Sequence, residues 1–109
     1  MAEIKYYKIK ILPLFEKDLT ESLNYITYEL QNPAAATLLL EEVQKAISER
    51  LFVPASFEAY FPPNSTEPHY RIYVRNYLIF YTVVDDTVRL RRFVYNRRNI
   101  EQLLQISDI

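Results

Sequence analysis

Apolar and polar positions along the chain switch between two periods, and the switches mark the elements. Residues 4–11, IKYYKIKI, alternate with period two. Tyr7, Ile9 and Ile11 take one face and Lys8 and Lys10 the other, which predicts a strand. Leu12-Pro13 breaks the alternation. Pro13 suits the first turn of a helix, with Glu16 and Asp18 near its positive end. From Phe15 the spacing is helical: Phe15, Leu19, Leu23, Ile26 and Leu30 step by three or four. Asn32-Pro33 stops this helix and starts another, Asn32 as cap and Pro33 in the first helical position. The second helix carries Ala36, Leu39, Leu40, Val43, Ile47 and Leu51 on its apolar side. Glu41, Glu42, Lys45, Glu49 and Arg50 fall mainly on the solvent side. So short a connection folds the helices back on each other as an antiparallel hairpin.

Pro54 ends the second helix, and four prolines with Asn64, Ser65 and Thr66 make 53–68 a loop. Phe57, Tyr60 and Phe61 are expected to fold back onto the core or the sheet edge, or to meet a partner. Strand alternation returns with Tyr70, Ile72 and Val74 against Arg71, Tyr73 and Arg75. Turns at Arg75-Asn76 and Asp85-Asp86 bound YLIFYTVV, which is apolar on both faces and reads as a covered central strand. The last strand, from Val88 to Tyr95, puts Val88, Leu90 and Val94 on one face and Arg89, Arg91, Phe93 and Tyr95 on the other. Asn96 then caps a short helix, Arg97–Leu104, with Ile100, Leu103 and Leu104 as its apolar contacts. The order is β-α-α-β-β-β-α. It predicts an α+β fold: an antiparallel-dominated four-stranded sheet with the N-terminal helical hairpin packed on one face, one domain over residues 1–109.

Composition changes this picture in three places. Glycine is absent, so any turn position needing positive φ must be filled otherwise, and Asn76 and Asp86 are the expected occupants. Cysteine is absent and His69 is the single histidine. That excludes disulfides, thiolate metal sites and any two-histidine mechanism, and no metal or cofactor is expected. His69, beside Pro68, reads as a surface residue. No apolar run approaches the ~20 residues of a membrane span, and the start lacks an apolar signal core, so a cytoplasmic protein is expected.

The net charge of −1 hides a segregation. Residues 14–67 hold nine acids and three bases, whereas 68–100 hold seven arginines and two acids. Either the basic stretch meets an acidic partner or the two halves neutralise each other where they pack.

Several segments, in order, resemble the RelE/ParE superfamily, the toxins of bacterial type II toxin–antitoxin systems. They are Phe15-Glu16-Lys17-Asp18-Leu19 in the first helix and Asn32-Pro33-Ala34-Ala35-Ala36 opening the second. Next come Tyr70-Arg71-Ile72 followed by Asn76-Tyr77-Leu78-Ile79-Phe80-Tyr81. The last is Arg92-Phe93-Val94-Tyr95-Asn96-Arg97-Arg98-Asn99-Ile100. The resemblance spans nearly the whole chain, the proline-rich loop matching least. It implies a growth-inhibiting toxin neutralised by a cognate antitoxin, with a toxin–antitoxin hetero-oligomer among the assemblies it allows, and acting on DNA gyrase or on the ribosome and its mRNA. The long hairpin with its NPAAA start is more similar to the ParE side, the gyrase poisons, than to the RelE side, the ribosome-dependent mRNA endoribonucleases.

The chemistry of the basic end separates these readings. Cleavage of RNA needs groups that activate the 2′-hydroxyl, stabilise the phosphorane and protonate the leaving oxygen. The resemblance assigns such work to Arg71, Tyr95, Arg97 and Arg98, which contact the target if they are not catalytic. Arg75, Arg89 and Arg91 would bind a partner. Tyr95 stands where many members carry histidine, and Asn99 where many carry aspartate. No obvious general base is left, since an ordinary tyrosine titrates near about 10. A non-catalytic antitoxin-binding module with decayed toxicity therefore stays open. So does a non-catalytic RNA binder that stacks bases on its ten tyrosines, although the aromatic-basic signature of sheet-type RNA readers is missing.

Overall fold

The structure, a computed structural model, describes residues 6–95. Its elements are β1 (Lys8–Ile11), α1 (Pro13–Asn24), a π-helical turn (Tyr25–Glu29), α2 (Pro33–Arg50), β2 (Tyr70–Val74), β3 (Tyr77–Val84) and β4 (Thr87–Val94). The sheet runs β1-β4-β3-β2, with β1 parallel to β4 and the other pairs antiparallel. This is the expected α+β arrangement. The expected terminal helix Arg97–Leu104 lies outside the described residues.

Local chemistry explains the hairpin. Pro13 opens α1, and the Asn32 side-chain oxygen accepts from the Ala35 N–H at 3.1 Å to cap α2. Between them the helix widens. Leu30 N–H reaches back to the Tyr25 carbonyl and Asn32 N–H to the Ile26 carbonyl, both at 3.0 Å, before Gln31 turns left-handed at φ 51°. The widened turn leaves Tyr25 and Tyr28 exposed while Ile26 stays against the core.

Both helices cover one sheet face. Phe15, Leu39, Val43 and Ile47 pack there against Ile72, Val74, Ile79, Tyr81, Val88 and Leu90. The other face of β3 is buried too, as its doubly apolar pattern implied: Leu78 and Phe80 pack with Val94 under Tyr60 of the loop. The loop is tied down by a two-way backbone bridge between Tyr60 and His69, both hydrogen bonds 2.7 Å. Phe57 and Phe61 remain substantially exposed.

Four expectations are corrected. The faces of β4 are not those of plain alternation. Tyr81 pairs with Leu90 but Phe80 with Arg92, so Arg91 is a bulge residue. Past the bulge the parity flips. Phe93 joins Val88 and Leu90 in the helix-side core, and Val94 moves to the loop side. The positive φ of the two hairpins falls on Arg75 (54°) and Asp85 (55°), the first turn residues, rather than on Asn76 and Asp86. His69 is fully buried, not at the surface, because the bridge to Tyr60 draws it under the loop. Arg50 is not on the solvent side. Its Nη1 donates to the Arg71 carbonyl and the Tyr81 hydroxyl, each at 3.0 Å, and its guanidinium lies 3.6 Å from the Phe57 ring centre. Tyr81 passes the interaction on, donating to the Pro54 carbonyl at 2.6 Å. A long cation at the end of α2 thus fixes the start of the loop.

Candidate partner-binding cleft

β1 stops at Ile11 as the chain turns into α1, so the outer edge of β4 has no strand beside its last residues. The helix supplies the missing acceptor. Asp18 Oδ2 accepts from the Phe93 N–H at 3.1 Å and from Arg92 Nε at 2.7 Å, and Oδ1 accepts from Arg92 Nη2 at 3.2 Å. Only 12% of the Arg92 side chain and 14% of that of Asp18 is exposed. This charge-assisted clamp sets the distance between α1 and the end of β4. No feature of the sequence alone marks Asp18 for the task beyond its place in the Lys-Asp-Leu segment.

Beside the clamp opens a cleft of ≈ 750 Å³ between the helical hairpin, the β2–β3 turn and the end of β4. Its floor is apolar: Ile26 and Leu39 from the helices, Tyr77 and Phe93 from the sheet. The Tyr77 and Phe93 rings stack at 4.6 Å, and Tyr95 stands edge-on to Tyr77 at 5.0 Å. Burial, with Tyr95 adding to it, pushes the Tyr77 hydroxyl above the ordinary tyrosine pKa, so Tyr77 stays neutral. Tyr25, Leu30 and Tyr95 on the rim are each more than half exposed. At the turn, Arg75 Nε donates to Glu42 of α2 at 2.9 Å, and this ion pair raises the arginine pKa further. An apolar floor, an aromatic rim and flanking ion pairs suit a peptide segment better than a small polar substrate.

The residues singled out from sequence divide between this cleft and the far face of the sheet. Arg75 and Tyr95 line the cleft. Arg71 projects to the loop side, its guanidinium 5.3 Å from the Tyr60 ring centre. Arg91 also lies there, 3.8 Å from Glu67 and 3.4 Å from the Thr82 hydroxyl. Arg89, opposite Thr82 in the β3–β4 register, is half-buried on the same face. Arg97 and Arg98 are outside the described residues. Arg71 and Tyr95 are therefore not brought together into one constellation. Arg92 and Asp18 are the site-shaping residues that sequence reasoning missed.

Hairpin, sheet order and cleft together define a domain of the RelE/ParE kind. Residues 9–100 match the family described as the ParE toxin of type II toxin–antitoxin system, parDE. The chain belongs to that family. The fold is also that of a solved structure of the chromosomal ParDE toxin–antitoxin system of P. aeruginosa, with a TM-score of 0.64 and 13% identity over 84% of this chain and 97% of that one. No curated protein sequence matches. No helix among the described residues is long and apolar enough to cross a membrane.

Proposed function

We propose that this ParE-type toxin arrests bacterial growth by poisoning DNA gyrase and is held inactive by a cognate antitoxin seated in the cleft. The cleft carries the antitoxin part. An apolar floor, an exposed aromatic rim and fixed charges converge there, and a P. aeruginosa relative in fold comes from a ParDE pair. Arg75 and Tyr95 would contact the antitoxin. Arg71, Arg89 and Arg91 on the far face would face the target.

The separation of Arg71 from Tyr95 argues for binding over RNA cleavage, because general acid–base chemistry needs its groups within hydrogen-bond reach of one phosphate. Ribosome-dependent mRNA cleavage is the competing activity. The test is expression of the chain alone and with the gene beside it. Growth arrest relieved by the neighbour supports the proposal; unimpaired growth at high expression refutes it. Arg75→Ala with Tyr95→Ala should weaken capture of the neighbour's product without unfolding the chain.

A further inference from the structure

Among the described residues β1 is an edge strand with three unused resources. Its inner hydrogen bonds go to β4, Lys8 N–H to the Asp86 carbonyl at 2.7 Å and Leu12 N–H to the Leu90 carbonyl at 3.1 Å. Alternation then turns the backbone groups of Ile9 and Ile11 outward to the open edge. The register sets Ile9 beside Val88 and Ile11 beside Leu90, on the helix-covered face. Yet the helices among the described residues leave them largely uncovered, 44% and 56% exposed. On the opposite face Lys10 sits directly beside Arg89. Among the described residues neither cation has a carboxylate partner, and like charges side by side across a ladder are unfavourable.

From this we infer that the β1 edge is a second docking surface, taking an extended segment of another protein in which acidic and apolar residues alternate. Such a strand hydrogen-bonds the outward groups of Ile9 and Ile11, lays its apolar side chains against theirs, and places its carboxylates beside Lys8 and Lys10. The lysines also select the partner. Antiparallel self-pairing of β1 centred on Ile9 or on Lys10 keeps the apolar faces together but sets lysine opposite lysine, so a second copy of the chain is disfavoured. No residue of β1 lines the cleft, and the inference does not rest on the toxin reading.

The probe is a short capped peptide alternating glutamate and valine, titrated into the isotope-labelled full chain. Matched arms use a lysine–valine peptide and a duplex DNA oligonucleotide. The acidic peptide should move the amide resonances of Ile9 and Ile11 and slow their hydrogen exchange, while those of Tyr77 and Tyr95 stay put. Lys10→Glu should weaken it by about tenfold or more. Ile9→Pro, which removes an outward N–H, should abolish it; if that variant does not fold, Lys10→Glu decides. Equal binding of the lysine–valine peptide, shifts confined to the cleft, or an acidic peptide silent where DNA binds would each overturn the inference. So would a dimer in ultracentrifugation that Lys10→Glu dissolves.

Discussion

Replacing Asp18 by alanine tests the clamp that shapes the cleft. The substitution deletes three hydrogen bonds, two of them from a guanidinium, and leaves the Arg92 charge beside β4 without its carboxylate. Both side chains are nearly buried. Breaking a buried pair by removing one partner costs about 3–5 kcal/mol. The residual exposure puts Asp18→Ala at the lower end, about 3 kcal/mol. For a domain of this length that is a large share of a total near ~5–15 kcal/mol, and at roughly 4 °C per kcal/mol it lowers the melting midpoint by about 12 °C. Asp18→Asn retains an acceptor for the Phe93 N–H and should lose about half as much. In the double variant Asp18→Leu/Arg92→Met neither member of the pair is left behind, so the loss should be well below the sum of the single losses. The assay is urea unfolding followed by circular dichroism and tyrosine fluorescence, the chain having no tryptophan. A single-site cost under about 1 kcal/mol, or strict additivity in the cycle, would refute the clamp as a stabilising unit.

Further outcomes follow from the same geometry. Burial, reinforced by the Arg91 charge and opposed by the hydrogen bond to the Glu67 carbonyl, holds His69 below its usual 6.5. The unfolded chain therefore takes up the proton first, and stability present above pH 6.5 should be lost as pH falls below it. Unfolding of His69→Asn should lack that pH-dependent component. Tyr81→Phe removes the donor to Pro54 and the acceptor for Arg50. It should cost about 1–3 kcal/mol and speed proteolysis within 51–69; an unchanged digestion pattern would count against the tether. Gln31→Gly relieves a left-handed backbone at an exposed site and should stabilise by about 0.5–1 kcal/mol in the same urea assay; a loss of stability would count against it.

The parts of the fold legible in sequence are those where local chemistry and long-range packing agree. Phe15, Leu39 and Val43 announce themselves by helical spacing, Asn32-Pro33 by capping chemistry, and β3 by its doubly apolar run. The misjudged parts depend on contacts far along the chain. One bulge at Arg91 exchanges the faces of Phe93 and Val94, and no local pattern encodes an extra residue that only β3 can register. Arg50 sits at a solvent-side helical position, yet its guanidinium is recruited by Tyr81, thirty-one residues later. The candidate site was half legible. Arg75 and Tyr95 reach the cleft, whereas Arg71 and Arg91 are carried to the far face by strand parity, and the clamp between Asp18 and Arg92 joins residues seventy-four apart.

The most direct test of the proposed activity is a pair of reactions with the purified chain. In a gyrase supercoiling assay it should block supercoiling and accumulate cleaved DNA, with activity restored by the neighbouring gene's product. A ribosome-programmed translation mixture should then keep its mRNA intact. Untouched supercoiling alongside mRNA cut in the ribosome would contradict the account.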